Sequence, residues 1–323
     1  MDKPFISILL PTYEPNPTHL REALHRLVAQ TEKRWTLCIR DDASTVDVRS
    51  MLEPYLQDPR VRFERGEKRL GIGGNWNACL GIAEGAYVQY LFQDDLWEPT
   101  YLERAAAMLE QNPTAPFVAV GHRYVFEGEG ADRDGYDEVL RARKDTLTPG
   151  IHEGKAFVLS WLERGLRPNL IGEPSFVMMR KEATTKAGPF LEDMPQFLDV
   201  EYWTRLLLLG DLAVITDDLG TFRVHPKGAS AQNQREGKGL FDRLRCIERV
   251  INKLHGDEKR RGERAFGKIL EEMIRKFLGR RKSGKQISYQ GGGSLKTIAL
   301  RHPILLTKAL LRALSKPETQ EIL

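Results

Sequence analysis

The stretch AYVQYLFQDD, residues 86–95, is an apolar run that ends abruptly in an amide and two adjacent carboxylates. The apolar part is typical of a buried strand. Ionised carboxylates repel one another and lose hydration on burial, so such a pair rarely ends a buried strand without a cation or a polar ligand. The stretch therefore predicts a strand end that borders a ligand site.

Two earlier strands end in the same way. The run FISILLP at residues 5–11 leads into the polar cluster PTYEPN, and RWTLCIRDD at residues 34–42 leads into DDAS. Helical patterns separate these strands, and such alternation indicates an α/β fold with a mostly parallel, doubly wound, Rossmann-like sheet. Ligands bind beyond the carboxyl ends of the strands in such sheets. We therefore expect PTYEPN, DDAS and QDD to converge on one crevice.

The rest of the chain extends this pattern into a second region and a tail. Residues 127–149 are polar and contain glycine, and they predict a loop. Past residue 230 the composition changes, and the tail contains the flexible stretch SYQGGGS. The predicted helices cover residues 18–30, 46–57, 73–85, 101–113, 155–164, 240–254 and 266–278, further strands cover residues 61–65 and 117–128, and a last apolar, basic segment covers residues 295–314.

The composition is typical of a globular protein with a basic tail. The chain has 323 residues, of which 41% are hydrophobic and 29% charged. Its three widely spaced cysteines predict reduced thiols, without metal-ligand spacing. We find neither a secretion-signal pattern nor an apolar stretch near the ~20 residues that span a bilayer, and we expect a cytoplasmic protein. Residues 236–323 carry 21 Lys+Arg and 10 Asp+Glu, a net charge of +11, whereas the preceding residues carry −7.

Two common nucleotide-binding motifs do not fit. A dinucleotide-binding domain needs Gly-x-Gly-x-x-Gly just after the first strand, where this chain has PTYEPN without a glycine. The stretch GIGG comes much later, at residues 71–74, and no Gly-Lys-Ser/Thr ending of a P-loop is present. The crevice therefore belongs to another class of α/β protein.

Six stretches in order carry a family resemblance: ISILLPTYEPN, IRDDAS, RLGIGGNWNACLGIAEGAYVQYLFQDD, GEPSFVMMRKEATTKAGPF, LDVEYWTRLLLLG and FRVHPKGAS. Together they resemble the family-two glycosyltransferases with the GT-A fold, over roughly residues 4–230. The resemblance implies inverting transfer of a sugar from a nucleoside-diphosphate donor, with a UDP-type donor favoured, to a hydroxyl of a glycan or lipid-linked acceptor. It also implies a nucleotide-sugar-binding half at residues 1–128, an acceptor-binding half at residues 129–235 and a basic helical extension at residues 236–323.

The resemblance implies a Mg²⁺ or Mn²⁺ ion at the QDD motif. Asp95 would hold the ion, Asp94 would contact the ribose or assist, and His225 would be a further ligand or a phosphate contact. Such an ion stabilises a departing diphosphate and is typically held by one or two carboxylates with phosphate oxygens and water. Gln93 stands where the family often has the first acid of Asp-x-Asp. The alternatives are helix capping by Asp94 or Asp95 and a structural His225.

The resemblance also implies a nucleoside and sugar pocket. Asp42 would accept a hydrogen bond from the base, and Glu173 would bind sugar hydroxyls. Asp41 and Asp42 also suit a turn, Arg69 a solvated surface and Glu173 a Glu-Pro turn, so these alternatives remain. The remaining implied contacts of the nucleoside and phosphates are Pro11, Thr12, Glu14, Arg69, Gly71 and Asn75.

The catalytic base is implied by LDVEYWTR, which resembles the family's Glu-Asp-x-x-x-Trp segment. Asp199 aligns with the catalytic aspartate and Trp203 with the aromatic residue, while Leu198 stands where an acid is common. Glu201 competes with Asp199, but residues two apart on a helix diverge around its axis, so only one of them can face the site. We favour Asp199, and the alternative is an acid that stabilises the helix N-terminus.

The basic tail predicts amphipathic helices with two competing roles. A basic amphipathic pair can lie on an anionic leaflet as a peripheral membrane contact, which suits a lipid-linked acceptor. Alternatively its apolar stripes pack on the catalytic body or on a second subunit in a homodimer. A nucleic-acid partner is not expected, because the tail has few aromatic residues for base stacking.

Two other function classes remain open from the sequence. A sugar-nucleotide nucleotidyltransferase also uses a Rossmann-like sheet and Mg²⁺, but it needs a glycine-rich, arginine-bearing loop after the first strand, which PTYEPN lacks. A non-catalytic relative would bind nucleotide without donor hydrolysis or transfer, and Gln93 and Leu198 are the departures that would allow it.

Overall fold

The computed structural model describes residues 5–128, 133–225, 239–282 and 300–315. The chain forms two compact units. The sheet unit comprises Met1–Val158, Pro168–Glu192 and Leu198–Ala231, and the helical unit comprises Leu159–Arg167, Asp193–Phe197 and Gln232–Leu323. The predicted stretch SYQGGGS lies outside the described residues.

The sheet contains nine strands within the described ranges, in the order β3-β2-β1-β4-β8-β6-β9-β5, with β7 paired to β9. The strands β1 to β4 pair in parallel, and so do β6 and β9, whereas β5, β7 and β8 pair antiparallel with their neighbours. This mixed sheet with flanking helices confirms the predicted α/β class. The strands are β1 Ile6–Thr12, β2 Trp35–Asp41, β3 Val61–Arg65, β4 Tyr87–Tyr90, β5 Leu96–Trp97, β6 Phe117–Phe126, β7 Gly150–His152, β8 Val177–Arg180 and β9 Leu212–Val224.

The helices begin and end close to most of the predicted bounds. Asn16 caps α1, since its side-chain oxygen accepts hydrogen bonds from the backbone of Thr18 and His19, and Pro17 suits the first helical position. The helices are α1 Pro17–Val28, α2 Val48–Leu52, α3 Gly71–Gly81, α4 Tyr101–Gln111, α5 Arg133–Thr146, α6 Gly154–Glu163, α7 Lys181–Ala187, α8 Leu198–Leu207, α9 Gly239–Ile251, α10 Gly256–Lys282 and α11 Pro303–Ser315.

The register of the parallel strands aligns the predicted polar clusters. Thr12 at the end of β1 lies opposite Asp41 at the end of β2, and Leu9 lies opposite Tyr90 at the end of β4. The turns after all three strands therefore leave the same edge of the sheet. The two-residue strand β5 follows the QDD motif at once and buries Trp97, whose Nε1 donates to the Ser175 carbonyl at 2.8 Å.

Three predicted elements differ from the structure. The loop prediction for residues 127–149 was wrong, because α5 occupies most of that stretch. Its sequence has few apolar residues and its buried position is filled by Arg143, so the helical hydrophobic period is weak. The helix α2 is shorter than residues 46–57, and α3 ends at Gly81 rather than Gly85.

The helical unit buries the first part of the apolar stripe predicted for residues 266–278. Phe266, Ile269 and Leu270 are buried in α10, which is longer than predicted. Arg243 of α9 connects this helix to the earlier part of the same unit, because its Nε donates to the Gly165 carbonyl at 2.7 Å. Within the described ranges, no helix is both long enough and apolar enough to span a membrane.

Candidate functional site

The turn after β2 separates the roles of its two aspartates. Asp41 is fully buried and accepts hydrogen bonds from the Ser44 hydroxyl and, at 3.1 Å, from the Ser44 backbone. Ala43 between them has a φ of +58°. Asp41 therefore forms a turn, which is one of the alternatives that the sequence left open.

Asp42 connects this turn to the start of α3. Its carboxylate oxygens accept hydrogen bonds from the backbone of Leu70 at 2.7 Å and of Gly71 at 2.8 Å. Gly71 has a φ of +79°, a conformation that favours glycine. The carboxylate thus satisfies backbone donors at the start of a helix, where such donors have no partner inside the helix.

The predicted contacts Asn75, Pro11 and Thr12 are buried in the structure. Asn75 Oδ1 accepts from Arg40 Nη1 at 2.7 Å, and its Nδ2 donates to the Thr12 carbonyl at 3.3 Å. Both polar atoms of the Asn75 side chain therefore bind the protein itself. These three residues shape the floor beneath the polar turns.

The turn after β1 presents the more accessible groups. Glu14 is exposed, has a φ of +46° and accepts a hydrogen bond from Thr45 N at 2.6 Å. The Arg69 guanidinium lies 4.0 Å from the centroid of the Tyr13 ring, a cation–π distance. Tyr13 and Arg69 thus form a flat face beside the Asp42 turn.

Gln93 has a structural role that sequence reasoning missed. Its Oε1 accepts from Tyr13 N at 3.0 Å, and its Nε2 donates to the Tyr13 carbonyl at 3.2 Å. A carboxylate at this position could accept the first hydrogen bond but could not donate the second. The amide therefore ties the turn after β1 to the turn after β4.

Asp95 is fully buried, and within the described residues neither of its carboxylate oxygens has a hydrogen bond of ordinary geometry. Burial, with the neighbouring charge of Asp94, raises the pKa of Asp95 well above its usual range, although the Ser175 hydroxyl and the Arg223 backbone lower it in part. A buried carboxylate with so few donors is costly unless it is protonated or bound to a cation. These two oxygens fit a hard divalent cation, which prefers oxygen ligands.

Asp94 and His225 meet beside Asp95. Asp94 Oδ2 lies 3.0 Å from His225 Nε2, and this hydrogen bond raises the pKa of the imidazole. Arg223 Nε donates to the Asp94 carbonyl at 2.9 Å. Over the described part of the chain, no three His, Cys, Asp or Glu side chains form a ready-made metal cage. A cation at Asp95 would therefore complete its shell with phosphate oxygens and water, as Mg²⁺ commonly does.

Glu173 lies near both Asp95 and Asp199. Its charge raises the pKa of both aspartates, which places it near each of them. Glu173 Oε2 is 3.0 Å from Nε2 of the buried His122, while 21% of the Glu173 side chain stays exposed. Glu173 thus acts electrostatically on both aspartates, and its contact with His122 has no sequence signal that we can identify.

Asp199 and Glu201 differ in their partners. Asp199 Oδ2 accepts from Asn169 Nδ2 at 2.8 Å, and burial raises the pKa of Asp199 to about 7. Glu201 is buried and bound by Arg205, with 2.8 Å between its Oε2 and Arg205 Nη2. Trp203 Nε1 donates to the Gly172 carbonyl at 2.9 Å and so ties α8 to the segment that carries Glu173. The geometry therefore favours Asp199 as the proton acceptor.

Comparison with known proteins identifies the family. The family model for glycosyl transferase family 2 matches residues 7–172. The uncharacterized protein MT1568 of Mycobacterium tuberculosis is 29% identical over 250 residues, which are 77% of this chain and 76% of that protein. TuaG of Bacillus subtilis, described as a candidate glycosyltransferase of teichuronic acid biosynthesis, is also 29% identical over 250 residues, with 77% and 90% covered.

Solved structures share the fold. Residues 1–349 of Staphylococcus aureus TarS, crystallised with UDP-GlcNAc, superpose with a TM-score of 0.64 at 16% identity, covering 96% of this chain and 80% of that one. The mannosyltransferase PcManGT of Pyrobaculum calidifontis, in complex with GDP-Man and Mn²⁺, gives a TM-score of 0.56 at 17% identity, covering 97% and 86%. Both likenesses confirm the predicted GT-A fold.

Proposed function

We propose a mechanism for this chain, which belongs to glycosyl transferase family 2 and is a glycosyltransferase. In this mechanism a sugar moves from a nucleoside diphosphate to an acceptor hydroxyl, and the configuration of its anomeric centre is inverted. The observation that supports the proposal is a group of three acidic side chains: the buried Asp95 and the half-buried Asp199, both with a raised pKa, and Glu173, whose charge acts on both of them. In a single displacement, the leaving diphosphate and the attacking hydroxyl lie on opposite sides of the sugar.

The donor would bind along the edge formed by the turns after β1, β2 and β4. The Tyr13–Arg69 face offers stacking and positive charge next to the Asp42 turn. Asp42, Glu14 and Gly71 border the nucleoside in this proposal, with Pro11, Thr12 and Asn75 as the floor beneath it. The structures of TarS and PcManGT contain UDP-GlcNAc and GDP-Man, and we favour a UDP-type donor for this chain.

Asp95 would hold Mg²⁺ or Mn²⁺, with Asp94 and His225 beside it. When bound, the cation stabilises negative charge on the departing diphosphate. His225 is hydrogen-bonded to Asp94 in the structure, so it can hold Asp94 in place or turn to a phosphate. The PcManGT structure contains Mn²⁺ with its nucleotide sugar, which supports this assignment.

Asp199 would accept the proton of the acceptor hydroxyl. A carboxyl group with a pKa of about 7 is close to the ideal strength for a general base at neutral pH. Asn169 Nδ2 and the Val200 backbone donate to the two oxygens of Asp199 and hold the carboxylate in place. Glu201 is bound to Arg205 and takes no part in the transfer in this proposal.

A thermal-shift panel tests donor and cation together. UDP, GDP, dTDP and CMP are added with and without Mn²⁺ to wild type, Asp95→Asn and the control Asp217→Asn, an exposed residue paired with Arg104. One nucleotide should raise the melting temperature by mass action, with a dependence on Mn²⁺ that Asp95→Asn removes and the control retains. No shift with any nucleotide would contradict the proposal, and binding without transfer or donor hydrolysis would indicate a non-catalytic relative.

The acceptor is proposed to be a glycan or lipid-linked glycan reached from the cytoplasmic face of a membrane. The tail supports peripheral contact, because five large apolar side chains at and just before α11 are exposed and basic residues flank them. Such a surface suits an anionic leaflet. The exposed apolar residues are Leu300, Ile304, Leu310, Leu311 and Leu314, and the exposed basic ones are Arg301, Lys308 and Arg312.

Cosedimentation with vesicles tests this contact. Ile304→Ser/Leu311→Ser should lose binding to phosphatidylglycerol-containing vesicles, while the control Leu209→Ser, at a side chain that is also exposed, should retain it. Equal vesicle binding by all three proteins would contradict the membrane proposal. A change of oligomeric state in the double variant would instead identify the face as a homodimer contact.

A further inference from the structure

A buried cluster behind Glu173 has no role in the proposal above. His122 lies in β6 with its side chain fully buried, and its ring stacks on Phe176 with centroids 4.0 Å apart. Its Nε2 lies 3.0 Å from Glu173 Oε2. This oxygen of Glu173 is itself buried, and His122 is its close polar neighbour although the contact is not a well-aligned hydrogen bond. One edge of the Glu173 carboxylate therefore faces the protein interior, while the side chain keeps an exposed part in the crevice.

Arg143 completes the cluster from α5. It is buried, and its Nη1 lies 3.1 Å from both ring nitrogens of His122. A nitrogen equally close to both cannot lie in the ring plane without colliding with the carbon between them, so the guanidinium lies over the ring. Its Nη2 donates to the Val120 carbonyl at 3.3 Å. A buried guanidinium is costly and needs a compensating negative charge nearby.

The backbone at Gly172 allows this close approach. Gly172 has a φ of +111°, and a Cβ atom there would lie 2.9 Å from His122 Cε1 and 3.2 Å from Arg143 Nη1. A side chain at position 172 would therefore push the cluster apart, in addition to straining the backbone. The glycine directly before Glu173 thus allows the backbone of this segment to pack closely against His122 and Arg143.

The charges within the cluster support one another. Burial raises the pKa of Glu173, but His122 and the positive charge of Arg143 outweigh it and leave the pKa below its ordinary value. Burial and Arg143 lower the pKa of His122, so the imidazole is neutral at neutral pH. The compensating charge for Arg143 is therefore Glu173, acting across the neutral ring.

We propose that Arg143 and His122 are positioning residues that hold Glu173 as a carboxylate aimed at the hydroxyl groups of the transferred sugar. The inference rests on the proposed function, because that sugar would lie between the diphosphate at Asp95 and the acceptor at Asp199, and Glu173 is near both aspartates. A carboxylate accepts from two adjacent hydroxyls, and such charge-assisted hydrogen bonds are the stronger kind. Glu173 therefore discriminates the sugar, whereas the nucleoside is bound elsewhere.

The test compares the affinity for a nucleotide with the affinity for its sugar derivative. Calorimetry with Mn²⁺ gives the Kd of UDP, UDP-GlcNAc, UDP-glucose, GDP and GDP-mannose for wild type, Glu173→Gln, Arg143→Met and His122→Asn. We expect the Kd of each variant for the nucleoside diphosphate to stay within about two-fold of wild type. The ratio of that Kd to the Kd for the sugar derivative should fall by about ten-fold or more. Arg123→Met, an exposed neighbour on β6, is the control that should change neither value.

A double variant separates positioning from general structural damage. If Arg143 acts through Glu173, Arg143→Met should reduce the preference for the sugar nucleotide in the wild-type background. The same substitution in the Glu173→Gln background should have no further effect. Additive losses in the double variant would overturn the inference, and so would equal losses of nucleotide and sugar-nucleotide affinity. A wild type that binds nucleotide and sugar nucleotide with equal affinity would also overturn it. A wild type that binds no nucleotide at all would instead refute the proposed function.

Discussion

Asp199 couples the proposed chemistry to the folding stability of the protein. Burial raises the pKa of its carboxyl group from the ordinary 3.8 to about 7. Between these two values the folded protein keeps a proton that the unfolded chain releases, so the free energy of unfolding falls as the pH rises. Above pH 7 the loss is complete, and below pH 4 it disappears. Asparagine has nearly the same shape and does not ionise, so Asp199→Asn should escape this loss.

The size of the effect follows from the two pKa values. One pKa unit corresponds to about 1.4 kcal/mol, so the full difference amounts to about 4 kcal/mol. The Asp199 side chain is only half-buried by exposure, and solvent screening reduces this figure. Between pH 5 and pH 8 only about two of these pKa units are crossed, so we expect Asp199→Asn to gain about 1–2.5 kcal/mol over wild type. The same variant should lose about 10²–10⁴-fold in transfer rate.

Urea unfolding at pH 5 and pH 8, in the presence of a metal chelator, measures the stability difference. The control is Glu201→Gln, which removes the buried pair with Arg205 and should lower the free energy of unfolding at both pH values. If the stability difference between Asp199→Asn and wild type were the same at pH 5 and pH 8, Asp199 would not carry a raised pKa. The assignment of the base would then lose its physical basis.

Two further predictions concern the supports of the site. Asn169→Ala removes a hydrogen bond that favours the ionised form of Asp199, so the pKa of Asp199 should rise. The acidic limb of the pH–rate profile, measured by steady-state kinetics from pH 5 to 9, should therefore move up by up to about one pH unit. Gln93→Ala removes both hydrogen bonds to Tyr13, and it should cost about 1–3 kcal/mol in urea unfolding. Gln93→Glu should recover less than half of that loss, because a carboxylate cannot donate the second bond.

The sequence predicted the edge of the sheet well, because its signals there are local. The strand over residues 61–65 has the predicted bounds, and the turns at Asp42 and Asp95 leave the predicted edge. Asp41 and Asp42 could not be separated from the sequence, since both suit a turn, and only the position of the α3 backbone decides which carboxylate it binds.

The missed features depend on contacts between distant residues. Arg143 and His122 are 21 positions apart and meet only because α5 packs back on β6. Arginine in a buried helix position weakens the hydrophobic period, so the pattern at residues 127–149 indicated a loop instead. Gln93 looked like a weakened metal motif, whereas its partner Tyr13 is 80 positions away. No spacing rule connects such pairs.

The division of the chain into units has a consequence for its synthesis. Leu159–Arg167 and Asp193–Phe197 leave the ribosome before the helices with which they form one compact unit. Leu162 lies against Gly262 of α10, and Gly165 lies against Ile269 of the same helix. The apolar surface of the earlier segment is therefore covered only after α10 has been synthesised. A nascent chain therefore exposes this surface while its sheet is already complete, which makes the last third of translation the interval in which a chaperone is most useful. For the same reason, no single cut after the sheet yields a minimal transferase with all its apolar surfaces covered.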